Sequence, residues 1–141
     1  MSLPWIPGAA RVILLADPVF AGLVPQAERV GFESPLDVTS PFVVIQAPGN
    51  FSLSGDGVAW SPLVQVDGYA PKSYPDARRL VWRIAAEAGR VLGRARNVTF
   101  ENMSYSGRVT DGPLEDVDTS RGTASPLRRC LIRAELKAHT T

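Results

Sequence analysis

The sequence predicts a small α+β domain whose helices pack on one face of a mainly antiparallel four-stranded sheet. Three stretches carry that reading. Residues 75–94 place Ala77, Leu80, Val81, Ile84, Ala85, Ala88, Val91 and Leu92 at the i, i+3, i+4, i+7 spacing of an amphipathic helix. Residues 126–138 alternate, with Cys130, Ile132, Ala134, Leu136 and Ala138 on one face and Arg129, Arg133, Glu135 and Lys137 on the other; Leu131 is the exception. Phe42-Val43-Val44-Ile45 is a β-branched and aromatic run between Pro41 and Ala47-Pro48-Gly49, which suits a buried strand.

The remaining elements follow in order. Residues 1–8, with Pro4 and Pro7, read as an arm presenting Trp5 and Ile6. Residues 9–24 are apolar with helical spacing at Val12, Leu15, Val19 and Leu23, and Pro18 must kink that helix or start a second one. Pro25 stops it, and 26–40 is a polar, turn-rich loop. Ser54-Gly55-Asp56-Gly57 is turn chemistry. The next strand puts Val58, Trp60, Val64 and Val66 on one face and Ser61, Gln65 and Asp67 on the other, with Pro62 marking an edge position or a bulge. In the 75–94 helix, Pro75 suits the first turn and Asp76 complements the positive end of the dipole. Its far side carries Arg79, Arg83, Glu87, Arg90 and Arg94. Residues 97–108 read as one strand, and 111–125, rich in Gly, Asp, Ser and Thr, as a long loop.

Composition narrows the function classes. A chain of 141 residues is expected to be a single domain, and one of this size needs no disulfide or metal to fold. With 45% hydrophobic and 21% charged residues it reads as globular. Fifteen basic groups face fourteen acidic ones, a balance that argues against electrostatic binding to nucleic acid. Thirteen of the fifteen are Arg, which favours bidentate pairing with carboxylates. The single cysteine, Cys130, has no partner for a disulfide or a metal pair. No export signal is evident, and no run approaches the roughly 20 apolar residues of a membrane span. A reducing cytosol is therefore expected, where the sequons at Asn50, Asn97 and Asn102 stay unused.

No catalytic, cofactor or metal site is expected. His139, the one histidine, is the third residue from the end of the sequence, where a rigid supporting shell is rare. Cys130 falls on the apolar face of its strand and reads as a small core hydrophobe. Phosphate-cradling glycine patterns are absent. The acidic cluster Asp111, Glu115, Asp116 and Asp118 matches no calcium loop and reads as solvated. What remains is surface. Trp and Arg are enriched where protein partners bind most tightly, which makes Trp5, Ile6, Arg79, Arg83, Arg129, Arg133 and Glu135 the subunit-interface candidates.

Several phrases in sequence give a more specific expectation. Ala16-Asp17-Pro18-Val19 leads to Leu23-Val24, and Pro41-Phe42-Val43-Val44-Ile45 follows. Then come Val64-Gln65-Val66-Asp67-Gly68-Tyr69, the 75–94 helix, and Asp111-Gly112-Pro113 through Asp118 before a closing strand. In order and spacing these resemble the tail terminator proteins of long-tailed bacteriophages, particularly actinobacterial ones. Tyr69 fills the family's aromatic place after the Val-Asp pair, whereas Pro126-Leu127-Arg128 departs from its aromatic before the last strand. The resemblance implies a virion protein of the tail neck, assembled in the host cytoplasm. It implies a homohexameric ring on the head-proximal end of the tail tube, stopping tube polymerisation and providing the head-tail joining surface. Its partners would be copies of itself, the major tail protein and the head-tail connector or stopper, with DNA as passing cargo and no membrane. The family has no catalytic residues to carry over. In such a ring Asp111, Glu115, Asp116 and Asp118 would face the lumen and repel DNA. The rival readings are another neck protein (stopper or adaptor), a small α+β enzyme or ligand-binding domain, and a nucleic-acid binder using the arginine face of the 75–94 helix.

Overall fold

The computed structural model of the chain describes residues 4–48, 59–60, 62–120 and 126–140. Its elements are α1 (Ile6–Leu15), α2 (Pro18–Leu23), a 3-10 turn (Ala27–Arg29), β1 (Val30–Gly31), β2 (Phe42–Gln46), β3 (Ala59–Trp60), β4 (Leu63–Pro71), α3 (Ala77–Arg94), β5 (Val98–Phe100), β6 (Met103–Asp118) and β7 (Leu127–Thr140). The fold is mixed α+β, but the expected four-stranded sheet is not what forms. Six strands run in the order β1-β2-β4-β7-β6-β5, with β3 paired to the end of β7. All pairs are antiparallel except β1 beside β2.

Each extra strand has a local cause. β1 is two residues long, too short to show any alternation, and lies within the stretch expected to be a polar loop. The strand expected over 97–108 is a hairpin folded at Glu101-Asn102. Both residues sit at positive φ, 49° and 65°, the backbone that a two-residue turn between antiparallel strands requires. Glycine usually announces such a turn, and none is present here. The expected loop from 111 is the second half of β6 as far as Asp118, paired to β7 from Asp111↔Arg133 to Asp118↔Leu127. Register shifts on either side of Asp111 absorb the Gly112-Pro113 pair, which is why loop-like composition coexists with a strand. The end of that expected loop, 121–125, lies outside the described residues, as do the start of the arm, the 54–57 turn and Val58.

β3 and β4 are one strand interrupted at Pro62. Trp60↔Ala138 and Leu63↔Glu135 keep a single register, so there is no bulge. The pairing of β2 with β4 stops at Gln46↔Gln65, leaving Pro62 with a strand on one side only among the described residues, where a missing N–H costs little. The Pro62 carbonyl still accepts the Leu136 N–H at 3.0 Å.

The core lies between the helices and one face of the sheet. α3 buries Val81, Ile84, Ala85, Ala88 and Leu92 against Val64, Val66, Cys130, Ile132, Ala134 and Leu136, which are all buried as the strand alternation predicts. The helix approaches the sheet so closely that two strand positions have no room for a side chain. A Cβ at Gly68 would lie 2.8 Å from Ile84 Cγ2, and one at Gly107 would overlap the Leu92 carbonyl. α3 begins two residues later than expected. Pro75 lies outside it, and Asp76 caps it at a left-handed φ of 57° with no side-chain hydrogen bond.

Residues 6–23 break at Pro18 into two helices, and the buried stripe differs from the expected one. α1 buries Ile6, Ala9, Ala10, Ile13 and Leu14, while Val12 and Val19 are 43% and 50% exposed. With the helix broken, the 12-15-19-23 phase is not continuous. Arg11 fixes the rotation of α1 by donating from Nε to the Val30 carbonyl at 2.6 Å and from Nη2 to that of Ala27 at 3.0 Å. Asp17 caps α2, accepting the Val19 and Phe20 N–H groups at 3.0 Å, and its carboxylate also receives Arg90 of α3 at 3.0 and 3.1 Å.

Two glycine substitutions report on these packings with opposite signs. Gly107→Ala forces α3 off the sheet and lowers unfolding free energy by about 3 kcal/mol. Gly22→Ala, in exposed α2 with open space at the Cβ position, raises it by about 0.5–1 kcal/mol. Denaturant titration of both variants measures the contrast.

Candidate interaction surfaces

The N-terminal residues expected to form a free arm are built into the body from Ile6 onward. Ile6 is 3% exposed and belongs to the core, so it is not available to dock on a neighbouring subunit. Trp5 folds back over Gly8, where a Cβ would overlap the indole. Its ring centroid lies 5.0 Å from that of Phe32 and 6.5 Å from that of Phe100. Phe32 directly follows β1 and Phe100 ends β5, the two outermost strands of the sheet. One indole thus touches residues from both edges, and the sheet curls around its helices. The outer half of Trp5 stays exposed.

The face of the sheet away from the helices is not the solvated surface that its charges suggest. Phe42, Leu127 and Leu131 on this face are buried, which accounts for Leu131 as the exception in the β7 pattern. Phe42 stacks on Tyr69 at 4.8 Å, and the Arg29 guanidinium lies 5.9 Å from the Phe42 ring centre. Arg29 is held there by the carbonyls of Pro41, Asp37 and Ser40 at 2.8–2.9 Å. Beside this aromatic pair runs a polar chain. Arg133 Nε donates to Gln65 Oε1 at 2.9 Å, Gln65 Nε2 to Asp67 Oδ1 at 2.8 Å, and Gln46 Nε2 to Asp67 Oδ2 at 2.7 Å. Asp67 is fully buried. Burial pushes its carboxyl pKa up, opposed by the two amide donors and the positive charge of Arg129. Arg129 makes a bidentate pair with Asp116 at 2.9 and 2.6 Å and hydrogen bonds Tyr69.

Arg129, Arg133 and Glu135, expected at a subunit interface, each have a partner within the chain. Glu135 sits 3.5 Å from Arg108. Asp67, Gln65, Gln46 and Tyr69 were not singled out as site residues. Their signal in the sequence is a carboxylate in the middle of the Val64–Tyr69 alternation, a position where ionised groups are rare.

The third surface is the ridge where α3 overlies β6. Arg78 grips Glu115 through Nη2 at 2.6 Å and Nε at 3.2 Å, which holds the Glu115 carboxyl below its usual range. Arg90 bonds Glu87 at 2.5 Å as the helical spacing predicts. Of the four acidic residues expected on a solvated loop, all lie on β6. Glu115 and Asp116 are ion-paired, Asp118 accepts the Ser120 N–H at 2.8 Å, and Thr110 approaches Asp111 at 3.5 Å. Arg79 reaches only 3.9 Å from Asp76, and Arg83 has no ion-pair partner among the described residues. Arg78, Arg79, Asp76, Glu115 and the 43%-exposed Trp82 line an open groove of about 380 Å³.

Below this ridge the sheet has an open edge. β5 covers β6 only from Met103 to Tyr105, and Gly107 is covered by its N–H bond to the Ala95 carbonyl and by Arg96 on its own carbonyl, both at 3.0 Å. From Arg108 to Asp118, β6 has a strand neighbour only in β7 among the described residues. Val109, Leu114 and Val117 are exposed along this stretch.

Cys130 is buried against α3 and its thiol is pushed up to about 11 by burial, a protonated and unreactive form near neutral pH. Among the described residues no three His, Cys, Asp or Glu side chains are placed to share a metal ion, and no helix is long and apolar enough to cross a membrane. Comparison with protein families and with curated proteins finds no match to this chain.

Two predictions follow from the geometry. Trp5→Ala removes the contact with both sheet edges and lowers stability by about 2 kcal/mol, read by denaturant titration. Asp67 binds its proton more tightly in the folded state, so its effect on stability runs downward as pH rises from 3.8 through the raised value. Asp67→Asn, with the Gln46 amide turned to accept, removes that decline and is at least as stable as the parent at pH 7. Melting temperatures of the two proteins from pH 3 to pH 8 on the order of one-unit steps measure it.

Proposed function

We propose that this chain is a structural virion protein of the tail-terminator type, which closes into a ring of copies at the head-proximal end of a phage tail tube. There it stops tube growth and presents the surface for joining the head. The observation that carries the reading is the β6 edge from Arg108 to Asp118, open among the described residues, with Val109, Leu114 and Val117 exposed along it. An edge of this length with apolar side chains is a template for unwanted association unless something covers it. Head-to-tail contacts that close into a ring cover every such edge with another subunit and leave none free.

Two further features support the same reading. Most charges on the sheet and α3 are satisfied within the chain, as in Arg78–Glu115, Arg129–Asp116 and Arg90–Asp17, which gives a stiff body of the kind a ring subunit needs. The grooves are open surface features, one of them about 490 Å³ between residues 38–39, 71–73 and 126–127. The phrases that resemble tail terminators map onto α2, β2, β4, α3 and the β6–β7 hairpin, the elements that build the body and its open edge.

Electron microscopy tests the proposal. The purified chain, alone or with tail tubes, is expected as a closed ring of about six copies, seated on one end of the tube only. Rings bound to the portal side would reassign the chain to a stopper or adaptor, and a chain that stays monomeric with tubes present would remove the assembly reading.

A further inference from the structure

The strand registers set out the helix-free face of the sheet in rows. One row runs Phe42, Tyr69, Arg129, Asp116, the next Val44, Asp67, Leu131, Leu114, and a third Gln46, Gln65, Arg133, Asp111. Asp67 is thus a carboxylate in an otherwise apolar row, and it is fully buried. Its two oxygens are met by uncharged amides, Gln65 at 2.8 Å and Gln46 at 2.7 Å. Such donors hold a buried carboxylate less firmly than a cation would. Gln65 is fixed in that orientation, because its Oε1 accepts from Arg133 at 2.9 Å.

Two carboxylates on this face share one guanidinium. Arg129, diagonal to Asp67 across the β4–β7 pair, makes its bidentate bond to Asp116 on β6, and its charge also acts on Asp67. The negative charge of Asp116, one row over, opposes the ionisation of Asp67. Diagonal neighbours on a sheet face stand roughly 7–8 Å apart, near enough for charges to act through a dry interior. The other charged or titratable groups around Asp67 are Arg133 and Asp111 in the third row, Tyr69 beside Arg129, Asp118 near Tyr69, and Arg29 over Phe42. Arg108 and Glu135 follow one row beyond Arg133. β2 contributes no ionisable group, and the helices pack on the opposite face.

We infer that Asp67 is a proton-operated catch on the second half of β6. Ionised, Asp67 repels Asp116 and draws on Arg129, so the grip of β7 on β6 slackens beside the open edge. Protonated, it leaves Arg129 to Asp116 alone, and the grip tightens. The proton is accommodated without breaking the sheet. Gln46, exposed at the end of β2, turns its amide to accept the new O–H, while Gln65 stays fixed by Arg133. Burial raises the pH at which Asp67 ionises, so the tight state holds below that raised value and the slack state above it. The coupling belongs to a single chain and does not depend on the ring.

Nuclear magnetic resonance of the full-length chain tests the catch from both ends. Asp116→Asn is expected to lower the titration midpoint of the Asp67 carboxyl carbon by about half a unit. Reciprocity makes the same coupling appear in β6. Carrying the parent upward through that midpoint is expected to cost about threefold in hydrogen-exchange protection at residues 114–118, after correction for the intrinsic rate. Asp67→Asn keeps the shape without the charge and is expected to show no such loss over the same range. A midpoint that stays put or rises in Asp116→Asn would overturn the inference. So would an equal loss of protection in the parent and in Asp67→Asn, or no ionisation of Asp67 between about pH 3 and pH 8. A chain that shows both shifts yet forms no ring would keep the catch and lose only the ring reading.

Discussion

The seat of α3 on the sheet governs most of what the molecule presents. The helix axis comes so near to β4 and β6 that positions 68 and 107 have no room for a Cβ and are filled by glycine. This approach sets Ile84 and Leu92 into the sheet and fixes how far α3 projects above β6. The height of the helix in turn brings Arg78 within bidentate reach of Glu115, in the groove that Trp82 also lines. A bulkier residue at either glycine would lift the helix and dissolve the groove along with the ion pair. Surface and core here are consequences of one packing distance.

The second constraint is curvature. A six-strand path with residues from both outer strands touching one indole cannot be flat, and the twist of antiparallel strands supplies the bend that Trp5 then fixes. Curling places the three α-helices on the concave side and turns the helix-free face outward. That face still buries Phe42, Leu127, Leu131 and Asp67, because long side chains from neighbouring strands lie over one another. Arg129 spans Asp116 and Tyr69, and Gln65 spans Arg133 and Asp67. The result is a stiff wall whose polar groups are mostly spoken for.

Strong periodicity was legible in the sequence and weak periodicity was not. α3 and β7 are long enough for their repeats to stand out, and both occur with the predicted faces buried. The four-strand count failed for specific reasons. β1 offers two residues, the Glu101-Asn102 turn lacks the glycine that signals such reversals, and the second half of β6 carries Gly, Pro and acidic residues typical of loops. β6 is nonetheless extended because β7 supplies a long, regular partner strand, a tertiary effect invisible in local composition. The α1 stripe was misread because a broken helix resets its phase. On the candidate surface, the exposure of Arg79 and Arg83 was legible from the helical spacing. The internal partners of Arg129, Arg133 and Glu135 were not, since alternation gives the face of a side chain but not its partner.

Asp17 joins the two helical layers through a single carboxylate. It satisfies the first N–H groups of α2 and at the same time receives the guanidinium of Arg90 from α3, and these bonds hold its pKa below the ordinary value of 3.8. The stability it lends is present above that value and drains away as pH falls through the lowered one, the reverse of the trend set by Asp67. Acid therefore unpins the short second helix from its long neighbour while relieving the interior carboxylate of the sheet. These two carboxylates, one among the helices and one in the sheet, answer the same protons in opposite senses.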